Sequence, residues 1–174
     1  EQVADKKYDE DKLNAEYGRY CFELMKEISS NASKKNNVMI SPASIMMALD
    51  MVEAGARGET LKQLADFFAK DTDPLEQQAF ASDMMARINA SKKLDFVCAN
   101  AIWSDSKVLG DKINLDYRDY IQKTFKADFN NVKFGGDTHN QINKWVDEKT
   151  NHMIKDAVPQ LNPTTVMALV NAIS

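Results

Sequence analysis

The sequence predicts an α+β fold, helical in its first half and alternating strands with helices in its second. Three observations carry this. Up to about residue 90 the apolar residues recur at three-four spacing, with helix-capping residues ahead of them. Beyond it, the stretches 94–103 and 164–173 are apolar and partly β-branched, as strands buried on both faces are. Between those two runs come two more helical stripes and one short strand pattern, the alternation of a sheet with helices laid on it. With 174 residues, 44% of them hydrophobic and 28% charged, the chain has apolar material for one sizeable core.

The elements follow in order. Residues 1–12, EQVADKKYDEDK, are charged and aperiodic and are expected to form a mobile arm, with the folded domain over 13–174. Leu13, Tyr17, Tyr20, Cys21, Leu24, Met25 and Ile28 then form one face of a helix over 13–28. SSNASKKNN is a polar loop, and VMI at 38–40 is a short strand candidate. Ser41 suits an N-cap and Pro42 the first helical position of a helix running to about Ala54. That helix is apolar nearly all round, interrupted only by Ser44, Asp50 and Glu53, so it belongs in the interior of something larger than itself. GARG at 55–58 breaks it. Thr60 and Gln63 are spaced as a capping box for a third helix with Leu61, Leu64, Ala65 and Phe68 inward. Asp73-Pro74 opens a fourth, with Ala79, Phe80, Met84 and Ile88 as its stripe.

LDFVCANAIW (94–103) is the first long strand, closed by the turn SDSKVLGDK. Asn114 caps a helix with Tyr117, Tyr120, Ile121 and Phe125 inward, and DFNNVKF (128–134) is a short strand. After the turn at Gly135-Gly136, a helix over 138–157 turns Ile142, Trp145, Val146, Met153 and Ile154 inward and is stopped by Pro159. The last strand is 164–173. Both long strands contain Asn-Ala-Ile, at 100–102 and 171–173, a shared composition that suits sheet neighbours.

Catalytic chemistry is sparse. A net charge of −4 argues against generic nucleic-acid binding and against an anionic membrane partner. No run reaches the roughly 18 apolar residues of a membrane helix. Cys21 and Cys98 each sit in an apolar pattern and read as buried free thiols. His139 and His152 are too far apart for an i,i+4 metal pair. No nucleophile-elbow, dinucleotide or phosphate-loop motif occurs. Glu53 and Glu59 flank AGARG, but nothing pairs them in a cleft. Arg87 with Lys92 and Lys93 reads as a solvated helix end, and Met46, Met47 and Met51 as core filler. We therefore expect no catalytic, cofactor-binding or metal-binding residues, and a protein that is not an enzyme. MALVNAI at 167–173 is a buried-strand pattern with no stop signal after it. Its backbone groups need partners, so the expectation is a body larger than this chain.

NNVMISPASIMMALDMVEAGARGETLKQLADFF (36–68) resembles the N-terminal signature of the serpin family: an Asn-Val strand, Ser-Pro-x-Ser-Ile opening an apolar helix, then Gly-Ala-Arg-Gly and a threonine-capped helix. FVCANAIWSD resembles the second strand of that family's main sheet, and YIQKTFKADFNNVKF its next helix and edge strand. INKWVDEKTNHMIKDAVP resembles the helix crossing the sheet, and TTVMALVNAIS the start of the central third strand. The likeness spans residues 13–174. Ile40 and Ser174 depart from it, standing where many members carry an aromatic residue.

The resemblance implies the serpin fold, with these residues as the N-terminal half of one domain. The C-terminal half of the same serpin would carry the reactive loop. It implies a protease inhibitor: a serine or cysteine protease cuts the loop, which then inserts as an extra strand in the main sheet and traps the acylated enzyme. A non-inhibitory serpin acting as carrier, chaperone or store is the alternative. No cofactor, nucleic acid or membrane partner is implied; an extracellular, secreted location is, with a cytoplasmic one as the alternative. Ser41, Ser44 and Asn171 match the family's shutter region, where the sheet opens, and the usual partner histidine would lie in the other half. Helix 138–157 would be the crossing helix, with Trp145 as a packing anchor.

Overall fold

Four helices build the first of two units, and a three-stranded sheet with two helices builds the second. The computed structural model describes residues 6–32, 37–90 and 98–173. The units comprise Glu1–Ala90 and Ser91–Ser174, and each has its own apolar cluster.

In the first unit, α1 spans Glu10–Asn31 and starts earlier than its apolar stripe, because Asp9 caps it by accepting from the Lys12 N–H at 3.0 Å. Residues 6–12 make contacts within the first unit, and the last three of them are already helical. Lys6 pairs with Asp73 at 2.9 Å, the Tyr8 hydroxyl donates to Asp83 at 2.6 Å, and Glu10 pairs with Arg87 at 2.7 Å. Charges that look aperiodic along the chain have found partners about 70 residues away. Residues 1–5 lie outside the described residues. Leu13, Tyr17 and Tyr20 are buried with Met46, Phe68, Ala69 and Phe80, and Tyr17 stacks on Phe80 with ring centroids 5.0 Å apart. Met25, expected inward, is exposed.

No strand forms at 38–40. Met39 is exposed, and this stretch has no ladder partner among the described residues. Helix α2 (Pro42–Gly55) begins as expected at the Ser41 cap, with Met46, Met47 and Met51 buried. Helix α3 (Gly58–Phe68) begins two residues before Thr60, so no capping box forms, and Gln63 donates to Glu59 instead at 3.2 Å. Gly58 has φ 59°, a left-handed conformation that glycine adopts without a Cβ penalty, and this lets the chain turn from α2 directly into α3. Helix α4 spans Pro74–Ala90. Its buried Gln77 donates to the carbonyls of Ala65 and Ala69, both at 3.1 Å, and so satisfies the end of α3.

In the second unit, β1 (Cys98–Asp105) is central, with β2 (Asp128–Val132) parallel on one side and β3 (Met167–Ile173) antiparallel on the other. Every β1 residue except Cys98 is buried, which accounts for its continuous apolar reading. The expected residues 94–97 lie outside the described residues. Helix α5 (Leu115–Thr124) starts at Asn114, whose side chain accepts from the Tyr117 N–H at 3.1 Å. Helix α6 (Thr138–Lys149) lays Ile142 and Val146 on the sheet face formed by Ala101, Trp103, Val170 and Ala172.

Helix α6 stops eight residues short of 157. The Thr150 hydroxyl donates to the Val146 carbonyl at 2.8 Å, and Asn151 and His152 turn left-handed at φ 50° and 64°. Met153 and Ile154 are consequently exposed rather than inward, and Pro159 plays no part in the stop. Strand β3 begins at Met167, later than expected, because Thr164 is held in a turn by the Asn162 side chain.

Candidate functional site

The two Asn-Ala-Ile tripeptides lie on neighbouring strands, and the antiparallel register sets Asn100 directly opposite Asn171. Side chains alternate along a strand, so this pair projects from the face opposite Ala101 and Val170, away from α6. Asn171 Nδ2 donates to Asn100 Oδ1 at 2.6 Å, and Asn100 Nδ2 donates to the Phe125 carbonyl at 2.9 Å. Phe125 is fully buried at the end of α5, where the helix leaves carbonyls without intrahelical partners. Asn100 supplies the missing donor and is itself only 1% exposed.

Cys98, two residues earlier on the same face, completes the cluster. Its Sγ lies 3.5 Å from Asn171 Nδ2 and 3.9 Å from Asn100 Nδ2. Burial pushes the thiol pKa up, against the pull of the two amides, so the sulfur is a neutral acceptor rather than a nucleophile. The arrangement is an uncharged relay from Asn171 through Asn100 to a helix carbonyl. It can exchange hydrogen-bond partners without moving charge, whereas breaking it with no substitute costs about 1–3 kcal/mol per orphaned group.

Ser41 and Ser44 meet in the first unit, where Ser41 Oγ accepts from the Ser44 N–H at 3.3 Å and the Ser41 carbonyl accepts from Ile45 N–H at 3.2 Å. Asn171 belongs to the second unit, with Asn100, Cys98 and Phe125. Sequence reasoning named Asn171 and missed Asn100 as its partner. The repeated tripeptide was the available signal, and only the register turned it into a contact.

Two carboxyls add a feature to α2. Asp50 and Glu53 are 2% and 1% exposed. Burial raises the pKa of both: Glu53 is pushed up to about 7 despite the opposing Gln78 side chain, and Asp50 is raised further by the neighbouring Glu53 charge. Glu59, on the other side of AGARG, is exposed. His152 stands beyond α6 with its Nδ1 at 2.8 Å from Asp147. Cys21 and Cys98 are only partly buried and form no disulfide with each other. Among the described residues no group of three or more His, Cys, Asp or Glu side chains could hold a metal, and no helix is long and apolar enough to cross a membrane.

A helix-rich first unit and a mixed sheet crossed by one helix, with the buried Asn100 of β1 bonded to the half-buried Asn171 of β3, match the architecture that the signature at 36–68 implied. The chain belongs to the serpin family, whose serine protease inhibitor family model matches residues 15–174. It is 37% identical over 148 residues to a serine protease inhibitor of Cyanea capillata, covering 80% of this chain and 38% of that protein. It is 29% identical over 172 residues to antithrombin-III of Mus musculus, covering 92% of this chain and 36% of that one. Among solved structures, the thermophilic serpin tengpin in its latent state superposes with a TM-score of 0.80 at 31% identity, covering 97% of this chain and 44% of tengpin. The chain thus spans less than half the length of the relatives it matches.

Proposed function

We propose that the protein to which this chain belongs inhibits a serine or cysteine protease by the strand-insertion trap of serpins. The observation that carries the reading is the match of residues 15–174 to the serine protease inhibitor family, together with a mixed sheet ordered β2-β1-β3 whose backbone ladder a further strand could extend. A strand edge is a template for another strand, and a cleaved reactive loop is the strand this family supplies. The loop would come from the C-terminal half of the same serpin, and the protein would work outside the cell.

Within this reading Ser41, Ser44 and Asn171 act as the shutter. Asn171 holds Asn100 at 2.6 Å in the structure, and a neutral amide can pass to a new partner as the sheet opens on the far side of β3. Helix α6 is the crossing helix that has to shift as the strand enters. Trp145 anchors it by packing and by a bond to Asp128 at 2.8 Å.

The test is to incubate the full-length protein with a panel of serine and cysteine proteases and look for complexes that survive denaturing electrophoresis. We expect a covalent 1:1 complex with at least one protease, and a large rise in thermal stability once the loop is cut. Cleavage without either effect across the panel refutes the inhibitory reading and favours a carrier, chaperone or storage serpin.

A further inference from the structure

Three polar groups close on one another where α6 meets β2. Trp145 Nε1 donates to Asp128 Oδ2 at 2.8 Å, and Lys149 Nζ reaches the same oxygen at 3.0 Å. The Lys149 ammonium also stands 5.7 Å from the centre of the Trp145 ring, within cation–π range. Trp145 and Lys149 are four apart in one helix, so both reach down the same side. Asp128 is the first residue of β2, paired with Ala101, whose side chain lies on the face that α6 covers. Partial burial works against ionisation of Asp128, yet the bonds from Trp145 and Lys149 hold its carboxyl below the usual carboxylate range.

The two borders of α6 differ. Towards β3, its partners in the apolar cluster are Ala168, Val170 and Ala172. Such contacts slide and re-form, because dispersion and apolar burial are non-directional. The segment after α6 is bonded to the helix itself: Asn143 Nδ2 donates to the Val158 carbonyl at 2.9 Å, and the Val158 N–H donates to Asn143 Oδ1 at 2.8 Å. Helix and return segment are therefore joined to each other, while the directional bonds from Trp145 and Lys149 fasten the helix to β2.

We propose that Trp145, Asp128 and Lys149 form a latch that fastens α6 to β2, and that opening this latch sets the rate at which a strand enters beside β3. These are positioning residues, since none needs to touch the entering strand. The inference rests on the strand-inserting reading of the protein. A charge-assisted bond has a narrow geometry and is lost once its partners part by an ångström or two, so its full strength falls on the transition state for lifting the helix. Asp128 and Lys149 are each nearly half exposed, which limits their contribution.

The experiment uses the full-length protein and a synthetic peptide copying its own reactive loop, with uptake of the peptide followed over time on native gels. Trp145→Phe keeps an aromatic ring and removes the N–H. Asp128→Asn removes the charge that both donors share, and Lys149→Gln tests the exposed arm without touching the core. We expect uptake roughly fivefold faster in W145F and D128N and about twofold faster in K149Q. The double variant W145F/D128N should be no faster than the faster single one, because both changes weaken the same bond between Trp145 and Asp128, whereas two unrelated packing defects would add. Uptake by the unaltered protein with variants equally fast or slower overturns the latch alone. No uptake by the unaltered protein overturns the strand-inserting reading and the latch with it.

Discussion

Asn100→Ala is the sharpest test of the amide relay. The change deletes two strong hydrogen bonds, one to the Phe125 carbonyl at 2.9 Å and one from Asn171 at 2.6 Å, and a weak one to the Cys98 sulfur at 3.9 Å, at a position only 1% exposed. It leaves the Phe125 carbonyl buried without its side-chain donor, while Asn171 keeps the Cys98 sulfur at 3.5 Å as a weak acceptor. At about 1–3 kcal/mol for a buried orphan and about 1 kcal/mol for a bond whose donor retains an alternative, the total loss is about 3 kcal/mol. Asn171→Ala leaves the Phe125 bond intact and should cost about 1–2 kcal/mol. The double variant should fall short of the sum by about 1 kcal/mol, the energy of the shared bond. Asn100→Asp should be worse than alanine at neutral pH, because it sets a carboxylate oxygen against the Phe125 carbonyl where an N–H had donated. Urea unfolding of the full-length variants supplies the numbers. Asn100→Ala within about 0.5 kcal/mol of the unaltered protein, or additive single changes, would refute the relay.

Two other outcomes follow from the helical unit. Glu53 is buried with its pKa raised to about 7 from an ordinary value of 4.5, so the folded state binds its proton more tightly than the unfolded state. The stability linked to it is full below about pH 4.5 and drains away as the pH climbs to about 7, by about 3 kcal/mol for a shift of this size. Glu53→Gln should therefore flatten the fall in unfolding midpoint between pH 5 and 8, and parallel profiles for the two proteins would contradict the burial argument. Gly58→Ala meets no atom within 4 Å of the added Cβ, yet must hold φ 59°. The loss should be about 1–2 kcal/mol from backbone strain alone, read from thermal unfolding. A neutral or stabilising result would mean that the turn between α2 and α3 can relax.

Features governed by residues within about four positions were legible in the chain itself. Ser41-Pro42 opens α2 and Asn114 caps α5 because an N-cap side chain needs only the amides two or three residues ahead. The apolar stripes of α1 and α3 placed Leu13, Tyr17, Tyr20, Ala65 and Phe68 in the core because a helix carries its own period. The serpin signature at 36–68 made the fold readable before any coordinate.

What the sequence left open was decided by residues distant in the chain. Lys6, Tyr8 and Glu10 look like a solvated arm until α4 presents Asp83 and Arg87 and the loop ahead of it Asp73. Asp50 and Glu53 look like the polar side of α2 until packing closes over them. Local signals also competed: Thr60 and Gln63 had capping-box spacing, but Gly58 could turn left-handed and started the helix sooner. Trp145 reads as a packing ring from its stripe alone, and its bond to Asp128 exists only because β2 lies beneath α6. Periodicity and capping are short-range and survive in any context, so the sequence by itself determined the class of fold and the principal helices. Register and long-range polar pairing depend on which surfaces meet, so tertiary structure alone set Asn171 against Asn100 and fastened the crossing helix to its sheet.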